Sequence, residues 1–111
     1  MTTPSQMIES DFHRRADKIL ESVEMALDDA GSDVDSVLQG GVLTLEFENG
    51  SKIVINRQTP AREIWVATPS GGFHFRYHEG KWRNTRDQQT LECLLSAEIS
   101  MLANRVIDIT F

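Results

Sequence analysis

The feature that most constrains the fold of this chain is a change in the spacing of its apolar residues near residue 33. Before this point, apolar residues recur every three or four positions, which is typical of a helix with one buried face. After it, apolar and polar residues alternate in short runs separated by turns, as in antiparallel strands. Helical spacing returns from about Asp87 to Arg105. The sequence therefore predicts a helix, five or six short strands and a second helix.

The first helix has a clear apolar face and two candidate starting points. Thr3-Pro4-Ser5-Gln6 fits a capping box with proline at the first helical position, and Ser10 is an alternative start. Gly31 is placed to adopt the left-handed conformation that ends a helix. The predicted buried face consists of Ile8, Phe12, Ala16, Ile19, Leu20, Val23, Ala26, Leu27 and Ala30.

The predicted strands cover residues 33–38, 42–47, 52–55, 63–68, 73–78 and 81–84, with a turn over 69–72. A two-residue loop between the second and third strands would turn Ile53 and Ile55 away from the face that holds Leu43 and Leu45. A three-residue loop, Glu48-Asn49-Gly50, pairs Leu45 with Ile53 and Leu43 with Ile55. We predict the second arrangement, with Gly50 left-handed, because register follows the buried face.

Strands joined by short turns form an antiparallel sheet, and two terminal helices can cover only one of its faces. We therefore predict an α+β fold, a two-layer α/β sandwich with both helices on one face of a five- to six-stranded antiparallel sheet. A single domain spanning residues 1–111 is expected. The predicted open face carries Thr44, Glu46, Val54, Asn56, Trp65, Ala67, His74 and Arg76.

Three features near the C-terminus add to this prediction. Cys93 lies among leucines of the second helix, and we predict that it and Trp82 are core residues. The alternating segment 106–111 is expected to lie over apolar surface. Glu98 falls on the apolar face of the second helix, and the sequence offers no reason for it.

The composition predicts a cytoplasmic protein without a membrane partner. No apolar run is long enough to span a bilayer, and the N-terminus lacks the basic-then-apolar form of a secretion signal. The single cysteine cannot form an internal disulfide, which suits a reducing compartment.

The whole net charge of −6 lies in the first third of the chain. Residues 1–35 contain nine acidic and three basic residues, whereas the remainder is neutral. This balance disfavours a nucleic-acid partner, because phosphate binding needs a basic surface. It favours a cation or a basic protein surface.

These acids form a line. Glu21, Glu24 and Asp28 fall within roughly 20–40° of Asp17 around the helix axis. His13 lies one turn upstream, and Asp33 and Asp35 prolong the line on an extended segment.

The acidic line costs stability, because like charges one turn apart repel and acids at a helix C-terminus oppose its dipole. A solvated face that maintains solubility is the simplest explanation of it. Two observations favour binding instead, since the line contains no base and it continues beyond the helix. Carboxylates are hard ligands that suit Ca²⁺, Mg²⁺, Mn²⁺ and iron. The line could equally dock a basic protein surface.

Three segments of the sequence resemble the frataxin family, specifically its bacterial members. They are DFHRRAD, GGVLTLEFENGSKIVINRQTPAREIWVATPSGGFHF and GKWRNTRD, and the likeness covers about residues 10–95. The resemblance implies an α/β sandwich that binds ferrous and ferric iron weakly. It also implies a role in iron–sulfur cluster assembly, through binding of the cysteine desulfurase and its scaffold protein, as iron donor, regulator of cluster formation, or both. A monomer that could form an iron-dependent oligomer is expected.

The resemblance also implies two sets of site residues. The first set, hereafter the acidic ridge, would bind iron and consists of His13, Asp17, Glu21, Glu24, Asp28, Asp29, Asp33 and Asp35. The second set, Asn56, Gln58 and Trp65, would contact a protein partner on the open sheet face. Alternation supports this placement of Trp65, because Ile64 and Val66 occupy the inward face.

Two other functions remain to be weighed against iron delivery. An acidic adaptor that binds protein, with incidental metal binding, is the alternative. An enzyme is not expected, because the sequence lacks the paired Glu-x-x-His motifs of di-iron proteins.

Overall fold

The computed structural model describes residues 7–111 and contains two helices and a six-stranded sheet. The elements are α1 (Glu9–Asp29), β1 (Asp35–Gln39), β2 (Val42–Glu46), β3 (Lys52–Gln58), β4 (Glu63–Thr68), β5 (Gly71–His78), β6 (Lys81–Asn84) and α2 (Leu91–Ala103). Neighbouring strands pair antiparallel in the order β1-β2-β3-β4-β5-β6. This confirms the predicted sandwich with both helices on one face of an antiparallel sheet.

Helix α1 begins at Glu9, one residue before Ser10, the second of the two predicted starts. The Thr3–Gln6 capping box lies outside the described residues. The predicted burial of Ile8 is wrong, because this residue precedes the helix in an extended conformation and is 62% exposed. The buried face of the helix is formed by Phe12, Ala16, Ile19, Leu20, Val23 and Leu27.

Helix α1 ends at Gly31, as predicted. This glycine has a φ of +61°, which brings two backbone N–H groups back onto the last turn. Gly31 donates to the carbonyl of Asp28 at 3.0 Å, and Ser32 donates to the carbonyl of Leu27 at 3.2 Å. This is the Schellman arrangement, in which a left-handed residue satisfies the free carbonyls of the helix end.

The β2–β3 hairpin has the predicted three-residue loop. Leu43 pairs with Ile55 and Leu45 with Ile53, so the four buried side chains share one face. Gly50 has a φ of +87° and donates to the carbonyl of Phe47 at 2.9 Å.

Several predicted boundaries are wrong. Strand β1 spans Asp35–Gln39 rather than 33–38, β2 ends at Glu46 rather than at 47, and β3 continues to Gln58 rather than ending at 55. The β4–β5 turn contains only Pro69 and Ser70, because Gly71 pairs with Thr68 and Gly72 with Ala67. Helix α2 spans Leu91–Ala103 and is shorter than the predicted 87–105.

The segment before α2 is held by side chains that compete with helix formation. Asn84 Oδ1 accepts from the backbone N–H of Arg86, and Asp87 Oδ1 accepts from that of Gln89, both at 2.9 Å. Such local side-chain to backbone bonds favour turns over helix. Thr90 then caps the helix.

The core lies between the helices and the inner face of the sheet. Trp82 is buried there as predicted, with its ring edge-on to Phe12 and Tyr77. The predicted burial of Cys93 is wrong, because it lies on the outer side of α2, next to the buried Leu94 and Leu95.

The segment after α2 covers apolar surface, as predicted. Ile107 and Ile109 are buried. The hydroxyl of Ser100 accepts from the backbone N–H of Ile107 at 2.9 Å, and that of Ser96 accepts from Ile109 at 2.8 Å. The tail therefore pairs with the side of α2 rather than with another strand.

The structure explains the buried Glu98. Its carboxylate accepts hydrogen bonds from the hydroxyls of Thr68 at 2.7 Å and Ser70 at 3.3 Å. Glu98 therefore connects α2 to the β4–β5 turn through these two hydrogen bonds. None of the helices within residues 7–111 is long and apolar enough to cross a membrane.

Candidate functional site

The acidic ridge runs along the flank of α1 that faces β1 and β3. Side chains of Ser36, Arg57 and Thr59 touch this flank from the sheet side. Three members of the ridge are half-buried: His13, Asp17 and Glu24. Five members are exposed: Glu21, Asp28, Asp29, Asp33 and Asp35.

The three half-buried members have partners within the fold. His13 Nε2 lies 2.9 Å from the hydroxyl of Thr59, and Glu24 Oε2 accepts from the hydroxyl of Ser36 at 3.1 Å. Asp17 forms an ion pair with Arg57. These contacts divide the predicted ridge into a part used by the fold and a part open to solvent.

Sequence reasoning missed Arg57 as a base beside the ridge. It lies on β3, far from α1 in the chain, so helical spacing could not reveal the contact. Its path depends on Gly41, where a Cβ atom would lie only 2.6 Å from the Nε of Arg57. Gly41 therefore leaves the space through which the arginine reaches Asp17.

The five exposed carboxylates make no ion pair within residues 7–111. In the same part of the chain, no three His, Cys, Asp or Glu side chains converge closely enough to enclose a metal ion. The exposed part is thus a row of separate anions rather than a preformed coordination cage. Chemically, such a row can attract a cation while leaving most of its hydration shell in place.

A basic side chain from the C-terminal part of the chain contacts the C-terminus of α1. Its last turn contains no basic residue. The guanidinium of Arg105, just after α2, donates to the carbonyl of Ala30 at 2.9 Å and to that of Gly31 at 3.5 Å. This contact compensates part of the negative potential that the acids at the helix end create.

On the open face, Trp65 is held in a fixed orientation. Its ring stacks on His74, with centroids 4.4 Å apart and planes 8° from parallel. Its indole N–H donates to Glu63 at 2.7 Å. The buried Glu63 also accepts from Arg76 Nε at 2.6 Å. Glu63 lies two residues before Trp65 and therefore on the same face of β4, but the sequence gave no sign that this carboxylate orients the tryptophan.

The three predicted contact residues share the open face. Asn56 is the register partner of Trp65, and Gln58 is the register partner of Glu63. All three side chains are half-buried. They therefore form a rigid, mixed polar and aromatic surface on β3 and β4.

The fold and the site together define a class of small α+β sandwiches, with an acidic first helix and an uncovered sheet face. Residues 5–105 match the family described as a frataxin-like domain. The chain belongs to the frataxin family.

The relatives are similar to this chain over nearly its whole length. The iron-sulfur cluster assembly protein CyaY of Photobacterium profundum is 44% identical over 102 residues, covering 92% of this chain and 97% of the relative. The protein of the same name from Vibrio cholerae is 46% identical over 102 residues, with 92% and 98% coverage.

Solved structures agree with the fold. Frataxin from Psychromonas ingrahamii has a TM-score of 0.89 and 38% identity, covering 95% of this chain and 100% of that one. The trimeric frataxin of the yeast Saccharomyces cerevisiae in complex with ferrous iron has a TM-score of 0.70 and 28% identity, with 93% and 94% coverage.

Proposed function

We propose that this chain binds iron and acts in iron–sulfur cluster assembly. The acidic ridge would hold Fe²⁺ or Fe³⁺ weakly and dock on the cysteine desulfurase, while Asn56, Gln58 and Trp65 would contact the scaffold protein. The observation that carries the proposal is the set of five exposed ridge carboxylates without an ion pair in the described chain. The names of the CyaY relatives and the ferrous complex of yeast frataxin support it.

Weak binding follows from the ligand arrangement. Carboxylate oxygens suit iron, but separate anions on a surface leave an ion mostly hydrated. Such an ion exchanges readily, which is useful for a protein that passes iron on. The His13 and Asp17 end of the ridge would contribute less, because its side chains already contact Thr59 and Arg57.

The same potential would guide docking on a partner. A concentrated negative surface attracts a basic groove and speeds encounter, and both effects weaken as salt screens the charges. The chain would serve as iron donor, as regulator of cluster formation, or as both. We propose a monomer without iron that can form oligomers on iron loading, and the trimeric structures of yeast frataxin support the capacity of the fold to form oligomers.

Charge reversal on the ridge tests the docking. Replacing Asp28, Asp29 and Asp33 together by lysine should leave the melting temperature unchanged or raise it, because repulsion at the helix end is relieved. The variant should no longer bind the cysteine desulfurase in a pull-down at low salt. A variant that melts earlier yet still binds would contradict the proposal.

A matched control changes the net charge by the same amount at positions outside the ridge. Glu79, Asp87 and Asp108 are exposed acids outside α1, β1 and the strand that pairs with β1. Their combined replacement by lysine should leave desulfurase binding close to that of the unmodified protein. Equal loss in both variants would point to net charge rather than to the ridge.

The second candidate function is an acidic adaptor with incidental metal binding. It is favoured by the lack, within residues 7–111, of a three-residue metal cluster. Anaerobic titration with Fe²⁺, followed by NMR shifts and broadening at ridge amides, separates the two functions. Changes at micromolar metal support iron binding, whereas changes only at millimolar metal support the adaptor.

A further inference from the structure

Two arginines lie directly opposite each other on the open sheet face. Arg76 on β5 and Arg83 on β6 are register partners, and like charges in such pairs destabilise a sheet. Glu63 compensates Arg76. Arg83 makes no ion pair within the described residues, and its Nη1 donates to the carbonyl of Gln88 at a long 3.4 Å. One positive charge is therefore maintained here without an acidic partner.

The two arginines border a shallow depression of about 260 Å³. It is lined by Arg76, His78, Arg83, Thr85 and Gln88, all of which can donate hydrogen bonds. No carboxylate of residues 7–111 lines it. Arg76 uses its Nε on Glu63, so its terminal nitrogens can face another acceptor. Guanidinium groups supplemented by a hydroxyl and an amide suit a carboxylate or another oxyanion.

A second depression of about 250 Å³ lies on the same face. It is more apolar, and the outward-facing Val54, Trp65 and Ala67 contribute to its lining. His74 lines the second depression and Arg76 the first, and these two residues are about 7 Å apart along β5. A protein segment with an apolar and an acidic side chain fits both, whereas a free phosphate occupies only the first. A polyanion such as nucleic acid is repelled by the net charge of −6.

We propose that the depression beside Arg83 binds a carboxylate side chain of an acidic protein segment whose neighbouring apolar side chain rests on Trp65. This inference rests on the proposed role of the sheet face in binding a protein partner, and it adds the chemistry of that partner. The acidic ridge would take a basic surface while the sheet face takes an acidic one. The chain could then hold two partners of opposite charge at once.

The test uses the full isotope-labelled chain and the peptide acetyl-Gly-Phe-Gly-Glu-Gly-amide, whose phenylalanine and glutamate point to one side when extended. Arginine side-chain N–H signals of Arg76 and Arg83 should shift together with the indole N–H signal of Trp65. The peptide with glutamine in place of glutamate should bind about threefold more weakly. Arg83→Gln should reduce binding of the glutamate peptide to the same level, and Arg83→Lys should retain most of it.

Arg14→Gln is the matched control, because Arg14 is an exposed arginine of α1, in the other layer of the fold. It should leave peptide affinity unchanged. Melting curves check folding, and Arg83→Gln should melt no earlier than the unmodified protein, since a like-charge pair is removed.

Three results would overturn the inference. Equal affinity for the two peptides would remove the role of the carboxylate, and unchanged affinity of Arg83→Gln would remove the role of the arginine. Inorganic phosphate that shifts Arg83 while the peptide leaves Trp65 unmoved would indicate a small-oxyanion site. The ridge variant with Asp28, Asp29 and Asp33 replaced by lysine should bind the peptide normally, so failure of the ridge proposal is distinguishable from failure here.

Discussion

Asp17 and Glu21 lie one turn apart on the same helix, yet their effects on stability should have opposite signs. Asp17 is paired with Arg57, whose side chain is only 24% exposed, whereas Glu21 faces solvent with acids around it. Asp17→Asn should lower the free energy of unfolding by roughly 0.5–1 kcal/mol. Glu21→Gln should leave it unchanged or raise it by roughly 0.2–0.5 kcal/mol. Urea unfolding at low salt measures both.

Arg57→Gln completes this comparison. If the ion pair stabilises the fold, the two charges are coupled. The double variant Asp17→Asn with Arg57→Gln should then lose less free energy of unfolding than the two single variants lose together. Glu21→Gln destabilising as much as Asp17→Asn would show that position on α1, rather than the pairing, sets the effect.

Glu98 is the clearest case of a buried carboxylate that serves the fold. Glu98→Ala removes the acceptor for the hydroxyls of Thr68 and Ser70. We expect a loss of about 1–3 kcal/mol in the free energy of unfolding, because two hydrogen bonds that contribute about 0.5–1.5 kcal/mol each are removed. Chemical denaturation measures it.

Glu98→Gln is the control, since its amide oxygen can still accept from Thr68. It should lose less than half of what the alanine variant loses. Similar losses for the two variants would show that packing of the side chain, rather than hydrogen bonding to the β4–β5 turn, explains its burial.

Single residues show where sequence-based prediction stops. Alternation with Ile64 and Val66 placed Trp65 outward, because strand geometry alone determines this face. It could not connect Asp17 with Arg57 or Glu98 with Thr68, since those contacts join residues 40 and 30 positions apart. The error at Cys93 has the same origin, because leucines on both sides of a helical residue do not specify which side faces the core.

At the scale of elements, α1 and α2 are connected through Arg105. Arg105→Gln should lower the free energy of unfolding by about 0.3–1 kcal/mol, because the C-terminus of α1 loses its cation while keeping its acids. Amide hydrogen exchange should rise at Gly31 and Ser32, the residues that close α1.

Arg86→Gln provides the comparison, since Arg86 is an exposed arginine in the loop before α2. It should change neither the stability nor the exchange at the end of α1. If both variants behave alike, the contact of Arg105 with the carbonyls of Ala30 and Gly31 contributes nothing, and the helix end tolerates its acids unaided.

Elements were predictable where one local rule decided them. The β2–β3 register followed from keeping Leu43, Leu45, Ile53 and Ile55 on one face, and Gly31 ended α1 as its backbone freedom suggests. The start of α2 was not predictable by the same means. There the side-chain oxygens of Asn84 and Asp87 accept hydrogen bonds from backbone N–H groups. The helical spacing of apolar residues carries no information about such bonds.

For the whole molecule, the decisive feature is that charge is unevenly distributed. The first third carries the net charge, and five ridge carboxylates lack an ion pair in the described chain, whereas Arg83 stands without an acid on the open sheet face. The folded state therefore holds like charges closer together than an unfolded chain would. Sequence alone predicted the negative side of this asymmetry, but the positive side depends on the pairing of β5 with β6.

This asymmetry predicts an unusual response to salt. Raising NaCl from about 0.01 to 0.15 M shortens the screening length from about 30 to 8 Å and weakens repulsion along the ridge. Ion pairs such as that between Glu63 and Arg76 weaken less, because the Glu63 carboxylate is buried. The melting temperature should therefore rise with salt, when measured by circular dichroism at constant pH.

The ridge must be the source of that rise. A variant with Asp28, Asp29 and Asp33 replaced by asparagine should melt higher at low salt and gain less on addition of NaCl. Neutralising Glu79, Asp87 and Asp108 instead should leave most of the rise in place. If the melting temperature falls with salt, attraction between charges outweighs repulsion in the folded state. The ridge then lowers the stability of the fold too little to require a binding function as its explanation.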